Sequence, residues 1–127
     1  MPLFWTEFVW IPCSDLAAQK RWWILSFDCK ECPVPQDWDD PLPLDVALRL
    51  PGHDAPTILL RDRREVQRAG GQPATERALI FCANLKKARG FLQERGAQPG
   101  PTQSGGGTEF FELFDPESNA IEICKEP

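Results

Sequence analysis

The chain predicts an α+β fold built from two βαβββ modules, and three observations point there. The two halves read alike, short stretches alternate apolar and polar residues at a period of two, and turn-forming residues punctuate the chain at regular intervals. When FVWIPCSDLAAQKRWW (8–23) is laid on RALIFCANLKKARGFL (77–92), Cys13 falls on Cys82, Asp15 on Asn84, Leu16 on Leu85, Trp22 on Phe91 and Trp23 on Leu92. Residues 1–66 form the first module, 67–75 a linker and 76–127 the second, within one structural domain. A half of this size cannot bury its own sheet, so the modules must pack on each other or pair across a dimer.

The elements follow in order. MPLFWTEFVW is the entry to a first strand: it is apolar, but it lacks a basic leader and carries Glu7, so a signal peptide is not expected. Asp15 and Asn84 are suited to cap the two helices. In the second helix Leu85, Ala88 and Leu92 share one face, and Gly96 ends it. Three strands follow the first helix: LSFDC (25–29), LDVALRL (44–50) and TILLRD (57–62). Within LDVALRL, Val46, Leu48 and Leu50 fall on one side, and Asp45, Ala47 and Arg49 on the other. The second module repeats this with a weak strand near 97–102, then TEFFELF (108–114) and NAIEICK (119–125). LPGHDAP, QSGGG and DPESN supply the turns. RDRREVQRAGGQPAT (61–75) joins the halves.

The bulk numbers exclude several classes. A net charge of -5 argues against a nucleic-acid surface, and no apolar run is long enough for a bilayer, so neither nucleic acid nor membrane is expected as a partner. Five cysteines, an odd number without an export signal, suggest free thiols in a reducing cytoplasm. One histidine and no tyrosine rule out imidazole-rich metal sites.

The repeat, the SDL…WW helix entry and the closing LFDPESNAIEIC resemble the vicinal oxygen chelate superfamily. That group includes glyoxalase I, bleomycin and fosfomycin resistance proteins and extradiol dioxygenases. The resemblance covers nearly the whole chain, and its most specific stretch is Leu113, Asp115, Pro116, Asn119, Ile121 and Glu122 in the family's order. Ser118 replaces the usual turn glycine; Asn119 would absorb the left-handed backbone. The resemblance implies a curved mixed sheet half-enclosing a pocket, with the helices outside. It places Ile121 and Ile123 toward the helices and Glu122 toward the pocket. It also implies self-association as a homodimer.

Metal-using relatives hold a divalent ion with the glutamate of the last strand, a residue on the first strand of each module, and one on the last strand of the first module. Those positions here are Glu122, Phe8, Arg77, and Thr57, Leu59 or Arg61. Glu122 alone is a ligand type, and it is also the one candidate catalytic residue. Glu7 and Glu76 stand one position out of register, and a slip that turned them inward would turn the core out. No cofactor is expected, although a divalent metal stays open.

Alternation nominates a ligand-binding lining of Phe8, Trp10, Arg61, Arg77, Phe81, Phe110, Glu112 and Glu122, with Leu79, Asp45 and Arg49 beside them. Aromatic surface with charges of both signs suits a medium-sized, partly aromatic or cationic organic ligand, or else it is core with ion pairs between strands. CPVPQDWDDPLP (32–43) and QPGPTQSGGG (98–107) are either lids or plain exposed connections. Cys29 and Cys32 have the spacing of half a zinc site or a redox pair but lack a second pair and the right helix setting. His53 lies in a turn; general acid–base work would need it to meet Glu112 and Glu122. Three functions compete. They are metal-free binding of a small molecule, metal-dependent lyase, isomerase or dioxygenase chemistry, and a non-catalytic dimeric scaffold.

Overall fold

The computed structural model describes residues 2–71 and 77–126. In chain order it contains β1 (Phe4–Trp5), β2 (Val9–Cys13), α1 (Leu16–Phe27), β3 (Lys30–Cys32), β4 (Val46–Arg49), β5 (Ile58–Asp62), α2 (Arg63–Arg68), β6 (Ala78–Cys82), α3 (Leu85–Glu94), β7 (Gln103–Gly105), β8 (Thr108–Phe114) and β9 (Ala120–Lys125). The linker's residues 72–75, together with Glu76, lie outside the described residues.

The α+β class holds, and both modules use one topology. In the first sheet the order is β2-β5-β4-β3; in the second, β6-β9-β8-β7 with β1 added at the β6 edge. In each module the first strand runs parallel to the last, as β2 does to β5 and β6 to β9, and the other pairs are antiparallel. The repeat in sequence is therefore a repeat in topology.

The N-terminal entry is not one strand. Phe4 and Trp5 pair with Cys82 and Phe81, whereas Val9–Cys13 pair with Ile58–Asp62. Thr6 is buried at the crossing and donates its hydroxyl to the Leu79 carbonyl at 2.6 Å. With β1 on one edge of β6 and β9 on the other, β6 has no free edge for β2. The two first strands lie side by side without a hydrogen-bonded ladder, so the molecule has two sheets and not one continuous one.

Both sheets share one core. Ile11, Cys13, Leu48, Ile58 and Leu60 of the first sheet join Ala78, Ile80, Phe111, Leu113, Ile121 and Ile123 of the second, with Trp23, Phe27, Ala88 and Leu92 from the helices. Phe4 closes it, meeting Phe27 of α1 at 5.2 Å and Phe91 of α3 at 5.7 Å, both edge-on. A ring from the N-terminal strand thus touches the helices of both modules. Asp15 and Asn84 cap α1 and α3 by accepting from Ala18 N and Lys87 N, each at 3.0 Å.

Several local expectations change. LSFDC is not a strand: α1 continues through Phe27 because Gln19, Trp23, Ser26 and Phe27 make one buried helical face. It ends at Asp28 in the left-handed region, φ 58. The weak strand near 97–102 forms instead at Gln103–Gly105, since Pro99 and Pro101 have no N–H to offer a ladder. The charged start of the joining stretch is helix α2, capped by the Asp62 carboxylate on Arg64 N and Glu65 N and anchored by buried Val66. In the closing turn Ser118, and not Asn119, takes the left-handed backbone, at φ 65. Asn119 N–H is held instead by Asp115 Oδ1 at 2.8 Å.

That turn also docks the second module on the first. Glu117 accepts from Ser14 N at 2.9 and 3.0 Å and from Asp15 N at 3.2 Å. Gln19 Nε2 of α1 donates to Asp115 Oδ2 at 2.9 Å. The acidic turn is, in this chain, a clamp on the start of α1.

Candidate functional site

The helices cover one face of each sheet, and chemistry is left to the other. On the first sheet this outer face carries Trp10, Ala47, Leu59 and Arg61, set there by alternation along β2, β4 and β5, with Phe8 beside them just before β2. Ala47 and Leu59 are buried although no helix lies over them. Across from Leu59 stands the proline-rich loop of residues 33–43, whose Trp38 meets Phe8 edge-on at 5.0 Å. Between loop and sheet is a hollow of about 470 Å³, lined by Phe8, Trp10, Leu59, Arg61 and Asp37 through Asp40. Its volume falls in the range of small-molecule sites.

Arg61 organises this hollow. Its Nε contacts both Asp45 carboxylate oxygens at 3.2 and 3.3 Å, and its Nη2 reaches Asp45 Oδ2 at 3.1 Å. The same Nη2 donates to the Asp40 carbonyl at 2.8 Å, which ties the loop down. The guanidinium stands 5.7 Å from the centre of the Trp10 ring. Asp40 holds a left-handed backbone at φ 46, as the loop bends over the sheet.

The second sheet has its own hollow, about 880 Å³, lined by Leu79, Phe81, Glu109, Glu122, Cys124 and the Ser104–Thr108 turn. The glycine-rich segment is therefore a hairpin turn forming a wall, with Gly106 and Gly107 at φ 60 and 81. Ile121 and Ile123 point into the core and Glu122 onto the outer face, where it stands directly opposite Glu112. Glu112 forms an ion pair with Arg77. Phe110 stands opposite Cys124 on the same face. Trp5 stacks on Phe81 at 4.5 Å, and its Nε1 donates to Glu126 Oε2 at 2.8 Å. Burial, and then the charge of Glu122, push the Cys124 thiol up to about 11.

The eight nominated residues are thus divided. Phe8, Trp10 and Arg61 meet in the first hollow. Phe81 and Glu122 line the second, and Phe110 and Glu112 share its sheet face. Arg77 borders a third cleft of about 460 Å³ at the seam of the modules, with Trp10, Arg63 and Phe114. Among the described residues none lines both sheet hollows. His53 lines neither: its Nε2 donates to the Phe4 carbonyl at 2.7 Å, so it does not meet Glu112 or Glu122. Arg49 donates to the His53 carbonyl at 3.0 Å and supports that turn. Cys29 is buried and Cys32 half-buried, and neither is in a disulfide.

A divalent ion does not fit the residues at the family's ligand positions. They present the ring of Phe8, the guanidinium of Arg77, one of Thr57, Leu59 and Arg61, and a single carboxylate, Glu122. Among the described residues no three of His, Cys, Asp and Glu gather as a metal would require.

Trp38 and the aspartates around it were the residues that alternation could not place, because a loop has no period. The signal was there in another form: a single tryptophan set among acids in a proline-rich segment, a large ring that gains from a surface to pack on.

No protein-family model and no curated protein matches the chain. Solved structures do. A member of the glyoxalase/bleomycin resistance protein/dioxygenase superfamily from Sphaerobacter thermophilus aligns with TM-score 0.69 at 18% identity, covering 96% of this chain and 97% of that one. TnmS3, an antibiotic binding protein from Streptomyces sp. CB03234, aligns with TM-score 0.67 at 18% identity, covering 96% and 95%. A lactoylglutathione lyase from Agrobacterium tumefaciens aligns with TM-score 0.67 at 14% identity, covering 94% and 92%. The chain has the fold of the glyoxalase/bleomycin resistance protein/dioxygenase superfamily, as the sequence resemblance implied.

Proposed function

We propose that this chain is a small-molecule-binding member of that superfamily and that it holds its ligand without a metal. The observation that carries this is the first hollow: three aromatic rings, a tied-down loop and about 470 Å³ of space, the one cation lining it among the described residues already paired with Asp45. Binding of this kind needs shape, aromatic surface and matched charge. The likeness to an antibiotic binding protein supports it. The open second sheet face, where Leu79 is 37% exposed beside Phe81, supports a homodimer in which a second copy covers that face. Five free thiols support a reducing, cytoplasmic setting.

Two measurements test the proposal. Protein purified without chelators, loaded with Ni, Zn, Mn or Fe(II) and desalted, should hold less than about a tenth of an ion per chain. About one ion per chain overturns the metal-free reading and moves Glu122 to ligand. A thermal-shift screen of aromatic compounds should find stabilisers that act on the native chain and not on Trp10→Ala; stabilisation at a hundredfold excess over Kd is worth about 2.7 kcal/mol. Stabilisers that act equally on both would remove the first hollow as the site.

A further inference from the structure

The hollow on the first sheet also indicates what class of molecule it takes, an inference that rests on the binding function proposed above. Its charges can be counted. Arg61 is the one cation lining it among the described residues, and Asp45 meets that guanidinium through three contacts between 3.1 and 3.3 Å. The Asp45 side chain is 1% exposed and that of Arg61 16%, so the two form a buried, mutually neutralised pair in the floor. The Nη2 of Arg61 is further engaged by the Asp40 carbonyl. Little of the guanidinium is left to receive an anion.

The rim is different. Asp37, Asp39 and Asp40 border the hollow from the loop, and none of them has an ion-pair partner among the described residues. An incoming molecule therefore meets three carboxylates without counter-charge. Between them and the floor lie the rings of Phe8, Trp10 and Trp38, with Phe8 53% exposed. A tryptophan face already carries one cation here, since Arg61 sits over Trp10. Aromatic faces and open carboxylates together favour a positive charge spread over a flat ring system. Either feature alone would be less selective: carboxylates alone would hold any small cation weakly, and rings alone any hydrophobe.

We infer that the first hollow takes a planar aromatic cation of two to three fused rings, held against Trp10 and Trp38 with Asp37, Asp39 and Asp40 as counter-charge. A neutral flat molecule gains the ring contacts but not the field. A flat anion is repelled by the rim and by the negative charge of the whole chain, -5.

Three matched tricyclic probes test this by titration calorimetry on the full chain: proflavine as the cation, phenazine as the neutral ring and anthraquinone-2-sulfonate as the anion. Proflavine should bind at least about tenfold tighter than phenazine, and the sulfonate should not bind. Raising salt from about 20 to about 300 mM should weaken proflavine severalfold and leave phenazine unchanged. The triple variant Asp37→Asn, Asp39→Asn, Asp40→Asn should lose the cation preference while keeping phenazine, and Trp38→Ala should weaken both. Equal affinity for proflavine and phenazine, insensitive to salt, overturns the cation inference and leaves the binding function standing. Proflavine binding abolished by Phe81→Ala but untouched by Trp38→Ala overturns the placement in this hollow. Failure of all three probes, together with an empty thermal-shift screen, brings down the binding function itself. Should the triple variant not fold, the salt dependence of the native chain and the single variant Asp39→Asn decide between these outcomes.

Discussion

Glu117, in the last hairpin, accepts the backbone N–H of Ser14 on both of its carboxylate oxygens, at 2.9 and 3.0 Å, joining residues 103 positions apart in the chain. Next to it the Asp115 carboxylate, 5% exposed, accepts from Glu117 N, Asn119 N, Asn119 Nδ2 and Gln19 Nε2. The two acids thereby fold the turn and fasten it to the capped start of α1. Removing the acceptor should strand these donors. Asp115→Ala should cost about 2–4 kcal/mol, and the more exposed Glu117→Gln about 1 kcal/mol. Urea unfolding would read both as lower midpoints at unchanged slope. A native midpoint for Asp115→Ala would mean that the turn does not fasten the modules.

Ser118 carries a steric strain at φ 65 that glycine would not. Ser118→Gly should raise stability by roughly 0.5–1 kcal/mol, because relief of the left-handed strain exceeds the added entropy of the unfolded chain. A loss on the same urea curve would show that the Ser118 side chain contributes something the backbone angle does not reveal.

Phe4 touches both helices from a two-residue strand. Phe4→Ala should cost about 3–5 kcal/mol, a large fraction of the stability of a chain this size. The hydrogen-exchange protection of β6 should fall with it, since β1 covers that strand's edge. A cost below about 1 kcal/mol would mean that the N-terminal segment is dispensable to the core.

Burial, the main cause in each case, pushes four thiols up from 9.0: Cys13 and Cys29 to about 12, Cys82 and Cys124 to about 11. Lesser contributions raise them further, from Glu117 at Cys13, Asp28 at Cys29, Cys124 at Cys82 and Glu122 at Cys124. The folded state keeps these protons where the unfolded chain gives them up. Stability is therefore intact below about pH 9 and falls as pH rises from there toward 11–12, by at most about 1.4 kcal/mol per pH unit for each thiol. At pH 8 a thiol reagent should label half-buried Cys32 first and the other four only on unfolding. Rapid labelling of Cys29 in the native chain would reopen a role for the Cys29–Cys32 pair.

Much of this protein was determined by its sequence alone. The period of two along LDVALRL, TILLRD, TEFFELF and NAIEICK decided which residues face the core, and Ile121, Glu122 and Ile123 stand as that alternation requires. The repeat decided the topology, and Asp15 and Asn84 decided where the helices begin. These are local matters, settled by side-chain direction and by hydrogen bonds within a few residues. What only the tertiary structure decided was everything that joins distant segments. No local pattern could say that Phe4 and Trp5 would take the free edge of β6 and so divide the expected single sheet in two, because that depends on a competition for backbone donors far along the chain. Nor could it bring Trp38 onto Phe8, or separate Glu122 from Trp10 into different hollows. Alternation specifies the face of a sheet on which a side chain lies, whereas loops and strand edges decide which faces meet and enclose a site.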